Sequence, residues 1–188
     1  MPATPTKQLV ADLGLERHPE GGYFKQTDCQ EETVPTPFAD GDQRPLSTSI
    51  FYLLSHDNPA GVIHMNKSVT YHILHQGRAE YTLITPGSPP KIERHVMGSN
   101  AAAGEKMQLI VGTGIWKMSQ LLAEDINAAE SENDKELVNC LITEVVVPGF
   151  QWMDHKFLTR DGLDELFKDV DKEERAKAVS QYSRYLKQ

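Results

Sequence analysis

Three histidines near the middle of the chain fall on short apolar runs that read as strands. His64 lies within Val62–Asn66, and His72 and His75 lie within Val69–His75. An imidazole titrates near neutrality, so each is a candidate general base, proton carrier or metal ligand. Strand alternation separates them: His72 shares parity with Thr70, so both reach one face, whereas His75 points to the other. The simplest role for a histidine on a strand is that of a hydrogen-bonded structural residue. Asp154-His155 resembles a charge-supported imidazole, yet adjacent strand residues face opposite ways, which argues against a dyad. Cys29 and Cys140 have no CxxC spacing and no partner motif, so neither a disulfide framework nor a cysteine nucleophile is indicated. A reduced, cytoplasmic setting is expected.

These side chains must be positioned by a chain of 188 residues, a length that suits one domain. The net charge of −8 argues against nucleic acid or an anionic membrane as a partner. No apolar run approaches the ~20 residues of a membrane span. Met1–Lys7 is followed by Gln8-Leu9-Val10-Ala11-Asp12 and not by an apolar core, so no signal peptide is expected. Thr6–Leu15 has helical spacing and closes near Gly14, and His18-Pro19-Glu20-Gly21-Gly22 then forces a turn. Tyr23–Thr27 reads as a strand and Cys29–Pro45 as an exposed loop. Strand candidates follow at Ser47–Leu54, Val62–Asn66, Val69–His75, Glu80–Thr85, Lys91–Val96, Met107–Val111, Ile115–Leu122 and Leu137–Val147. Glu124–Lys135 reads as a loop or frayed turn, and Gly162–Lys187 as helical, with Lys168–Lys177 a solvated helix face. Many short strands between two helical ends predict an all-β barrel or jelly roll with helices outside.

Three strings in this frame carry a family resemblance. His18-Pro19-Glu20-Gly21-Gly22-Tyr23-Phe24, Ser47-Thr48-Ser49-Ile50-Phe51-Tyr52-Leu53-Leu54 and Val147-Pro148-Gly149-Phe150 resemble, in order and spacing, the DUF985 family, or cupin superfamily 5, from about Leu9 to Leu166. The resemblance implies one cupin domain over residues 1–188, an RmlC-like double-stranded β-helix. Its barrel core would run from about residue 20 to 158, with a C-terminal helical segment over about 162–187. It also implies a homodimer, for which a strand around Tyr23–Thr27 is the candidate edge.

Metal-binding cupins use three histidines and a glutamate from two motifs. In the register that fits this chain, His64 keeps the first histidine, but Asn66, Thr70 and Lys117 stand at the other ligand positions. Asn and Thr are poor ligands and an ammonium repels a cation, so no metal cofactor is expected. A relocated site from His64, His72 and Glu144 or Asp154 is the exception to weigh. Under this alignment His64, Asn66, Thr70, His72 and Lys117 point inward, with Tyr52, Gln108, Trp116, Glu144 and Trp152 less firmly placed. Such a lining suits a small polar metabolite, for instance a sugar. The alternative is a metal-independent isomerase or epimerase, with His64 or His72 as base, Tyr52 or Tyr81 as acid and Lys117 steadying an enolate. A storage or scaffold protein with a filled barrel is a third reading. The HPEGG string is most simply a turn, with Glu20 able to reach a pocket rim, and the Val147–Phe150 string is expected to end a strand and plug the core.

Overall fold

The structure, a computed structural model, describes residues 3–187. The elements in chain order are α1 (Thr6–Leu13), β1 (Glu16–Arg17), β2 (Tyr23–Cys29), β3 (Thr33–Pro35), β4 (Gln43–Pro45), β5 (Thr48–Ser55), β6 (His64–Asn66), β7 (Val69–Gly77), β8 (Ala79–Thr85) and β9 (Lys91–Met97). They continue with β10 (Gln108–Val111), β11 (Trp116–Leu121), α2 (Ala123–Ala128), α3 (Glu132–Leu137), β12 (Asn139–Val147), β13 (His155–Phe157), α4 (Arg160–Leu166) and α5 (Lys172–Tyr182). The strands form a six-stranded sheet in the order β1-β2-β5-β12-β7-β10 and a five-stranded sheet in the order β13-β6-β11-β8-β9. Every pairing between two of these strands is antiparallel.

Alternation along each strand builds the layers. On β5, Tyr52 and Leu54 face the space between the sheets, where they meet Leu74, Tyr81, Leu83, Leu121, Cys140 and Ile142 from both sheets. Leu53, between them, faces the other way and packs with Leu141 beneath Leu9 and Leu15, so α1 covers the large sheet. Met118 and Ile84 likewise leave the inner face of the small sheet to meet Leu163, Ala178 and Tyr182 of α4 and α5 and Phe167 just after α4. Burying each such side chain contributes roughly 1.5–3 kcal/mol. The two helical ends are therefore lids on opposite outer faces of one barrel.

Three segments depart from the sequence reading. Cys29–Pro45 carries a β3–β4 hairpin, because Pro35 and Pro45 lie at the ends of a two-stranded ribbon, where a missing N–H is tolerated. Glu124–Lys135 holds parts of two short helices, the second opened by a Ser131–Asp134 capping box. The three residues of β13, too short to show periodicity, pair with β6. Among the described residues no helix is long and apolar enough to cross a membrane.

Candidate functional site

One end of the barrel interior is apolar and the other is polar, and the change occurs within single strands. On β7 the inward series runs Thr70, His72, Leu74; on β12 it runs Val146, Glu144, Ile142, Cys140. Register then sets the neighbours: Glu144 lies opposite His72, Lys117 opposite His64, and His155 opposite Asn66.

Lys117 is the hub of the inner group. Its Nζ donates to Glu144 Oε1 at 2.6 Å and lies 3.1 Å from His72 Nε2, with Thr70 Oγ1 3.2 Å from the same nitrogen. Tyr81 Oη approaches His72 Nδ1 at 3.5 Å. Burial, reinforced by the Lys117 ammonium, pushes the His72 pKa down to about 3, so the ring is neutral at pH 7. Burial opposes the Glu144 charge, but Lys117 and then His72 outweigh it and hold the carboxyl below its usual range. Burial drives both Tyr52 and Tyr81 well above the ordinary phenol value. The space enclosed among His64, His72, Tyr52, Tyr81 and Lys117 is about 10 Å³, room for at most one water.

The second group hangs from the HPEGG turn. Gly21 and Gly22 adopt φ of +96° and +70°, and a Cβ on Gly22 would lie 2.5 Å from the Leu53 carbonyl oxygen. Only glycine fits that turn. The turn carries Glu20 into the interior, where Oε1 accepts from His155 Nε2 at 2.7 Å and Oε2 lies 3.2 Å from His64 Nε2. Burial opposes the Glu20 charge, but His64, His155 and His18 together hold its carboxyl well below the usual range. His64 is buried and its pKa falls to about 4. Its Nδ1 is 2.9 Å from the Val62 carbonyl oxygen, which can only accept, so Nδ1 carries a proton and Nε2 is the nitrogen that faces Glu20. That Nε2 has no hydrogen-bond partner among the described residues.

Outside these groups opens a cavity of about 390 Å³. Glu20, Glu144 and Asn66 form its polar floor, and Phe24, Phe150 and Trp152 its aromatic wall. Asn66 Oδ1 is buried and lacks a partner among the described residues. Phe150 and Trp152 stand edge to face at 5.1 Å, and His155 lies 5.2 Å from Trp152. The hairpin contributes here as well: Arg44 of β4 donates to Asp154 Oδ2 at 2.6 Å and so anchors the turn that presents His155.

The interior thus brings together His64, Asn66, Thr70, His72, Lys117, Glu144 and Tyr52, as the alignment expects. Two expected lining residues lie elsewhere. Gln108 is exposed on β10, whose inward residues are Leu109 and Val111. Trp116 packs with Ile63 and Met118 on the outer face, one residue out of phase with Lys117. Phe150 walls the cavity and does not plug the core. Glu20 and His155 also enter the interior, although neither stands at a metal-motif position. The paired glycines after Glu20 signal a turn sharp enough to bury it, and the opposite parity of Asp154 and His155 sends only His155 inward. His64 and His72 do not share a ligand set with Glu144 or Asp154: Glu144 is engaged by Lys117, and Asp154 by Arg44 and Lys67.

The four motif positions of a metal-binding cupin do not fit a metal here. Lys117 places an ammonium where the last histidine would stand, and that ammonium is locked to Glu144. The fold and its polar interior define a jelly-roll barrel of the cupin type. The family model described as cupin superfamily (DUF985) matches residues 7–158, and the chain belongs to that family. It is 39% identical over 176 residues to the uncharacterized protein YML079W of Saccharomyces cerevisiae, covering 88% of this chain and 81% of that one. Among solved structures, a hypothetical protein from Leishmania major superposes with a TM-score of 0.75 at 23% identity, covering 95% of this chain and 98% of that one. Protein SO0799 from Shewanella oneidensis gives 0.67 at 23% identity, covering 95% and 96%. At these identities the two structures speak to the fold alone.

Proposed function

We propose that the chain is a cupin-fold binding protein whose mouth cavity takes a small, neutral, hydroxyl-rich molecule, a carbohydrate or sugar derivative, without the usual cupin metal. The observation that carries this reading is the cavity floor. Two buried carboxylates, Glu20 and Glu144, converge with Asn66 beside an aromatic wall. A floor rich in acceptors rewards hydroxyl donors and repels carboxylates and phosphates. The rings of Phe24, Phe150 and Trp152 supply an apolar surface for one side of a sugar ring. A volume near 390 Å³ is the size of an ordinary small-molecule pocket.

Trp152 at the rim makes tryptophan fluorescence the reporter. Titration with neutral monosaccharides and polyols should give a saturable change that their uronate counterparts do not. Asn66→Leu should weaken it by about 10-fold, the loss of roughly one hydrogen bond. Equal response to the uronates, or an unchanged Asn66→Leu variant, would remove the basis for this reading.

The epimerase alternative draws on the same residues but has less support. His72, Tyr52 and Tyr81 enclose about 10 Å³, too little for a substrate carbon to stand between a base and an acid.

A further inference from the structure

We propose that Glu20, His64 and His155 form a binding site for one divalent first-row cation of the zinc or iron(II) type, displaced from the metal position of the cupin motifs. Only His64 belongs to those motifs; Glu20 comes from the glycine turn and His155 from β13. The proposal is separate from the sugar-binding reading, which describes the metal-free chain: a bound cation would offset the Glu20 charge on the cavity floor.

One ligand atom from each of the three residues lies within 4.8 Å of the others, and all three residues are buried. Glu20 Oε1 is 2.7 Å from His155 Nε2 and Oε2 is 3.2 Å from His64 Nε2. Donor atoms around zinc sit about 2.0–2.2 Å from the ion and hence about 3–3.5 Å from one another, so small side-chain shifts close the set. Two imidazoles and one carboxylate are a combination that such cations accept with positions left open.

The second observation is the His64 ring itself. Its Nδ1 is committed to the Val62 carbonyl oxygen, which leaves Nε2, buried and without a hydrogen-bond partner among the described residues, aimed at Glu20 Oε2 3.2 Å away. A buried, unpartnered ring nitrogen aimed at a carboxylate oxygen is a geometry that a shared cation would satisfy. The Val62 carbonyl is the kind of outer-shell acceptor that fixes ligand tautomers in metal sites. The scaffold is stiff: His64 and His155 lie on paired strands with rings stacked at 5.3 Å and 18°. Glu20 also lines the mouth cavity, so open coordination positions would face it.

The test is titration of chelator-treated full-length protein with Co²⁺ and Zn²⁺, with no organic ligand added. Cobalt absorption and calorimetry should report one ion per chain. Glu20→Gln and His155→Gln, each verified as folded by circular dichroism, should weaken binding by more than about 100-fold, beyond the loss of an outer-shell partner. His72→Gln, which alters the neighbouring buried imidazole, should leave binding intact. Should the triad variants not fold, the Co²⁺-loaded wild type still decides: its paramagnetic proton spectrum should show two coordinated imidazoles. Absence of stoichiometric binding would leave an imidazolium–carboxylate pair in place of a metal site and overturn the proposal. So would full binding in Glu20→Gln, or loss of binding in His72→Gln.

Discussion

Lys117 and Glu144 join the two sheets: a strand of the small sheet reaches a strand of the large one through a single 2.6 Å contact between buried charges. The barrel interior at this level is held by an ion pair where the opposite end uses Leu54, Leu74 and Ile142. A buried pair is costly to break because the survivor keeps its charge without a counterion. Lys117→Met is therefore expected to destabilise the protein by about 3–5 kcal/mol. Lys117→Met/Glu144→Leu, which removes both charges, should recover much of that loss. Chemical denaturation of the two variants measures the difference. A double variant as unstable as the single one would mean that the pair contributes through packing and not charge.

Acid should weaken the fold through His72. Its pKa is about 3 in the folded protein, against the ordinary 6.5 of an unfolded chain. Between those values the unfolded state binds a proton that the folded state refuses, so stability is fully present above pH 6.5 and declines as pH falls toward 3. The contribution approaches roughly 1 kcal/mol per pH unit. Urea midpoints from pH 7 to 4 should fall less steeply for His72→Gln than for wild type. Parallel profiles would show that the ring takes its proton inside the fold.

The glycine turn can be tested against an internal control. Gly22→Ala combines a φ of +70° with a Cβ 2.5 Å from the Leu53 oxygen, whereas Gly14→Ala at +61° meets nothing within 4 Å. The Gly14 variant should lose about 1–2 kcal/mol from backbone conformation alone. The Gly22 variant should lose more and should also displace Glu20. Denaturation midpoints read the first effect and a chemical-shift map of His155 reads the second. Equal losses at the two positions would refute the close-packed turn.

Much of the interior was legible because strand parity is a local property. Once His64 was placed, Asn66 followed on its own strand, and the family register supplied Thr70, Lys117 and, with them, His72. Gln108 failed because nothing anchored its strand, and Trp116 because it is one residue out of phase with the inward Lys117 on the same strand. Glu20 and His155 are 135 residues apart, and their contact depends on a glycine turn and a three-residue strand closing over one another. Arg44 was hidden in a proline-rich, acidic segment whose composition reads as loop, although its side chain is buried on Asp154. Local pattern reports which face a side chain occupies; it does not report which distant side chain meets it.

The central claim is that the mouth cavity holds a neutral, hydroxyl-rich molecule on an acceptor floor. Native mass spectrometry tests it most directly, on wild type and on Gln26→Trp, after incubation with neutral monosaccharides and polyols and their carboxylate counterparts. Gln26 is exposed on β2 and lines the cavity, so a tryptophan there fills the space without disturbing the core. The account predicts one neutral adduct per chain in wild type and its loss in Gln26→Trp. An adduct only with the acids, an adduct undiminished in Gln26→Trp, or none with any neutral member would contradict it.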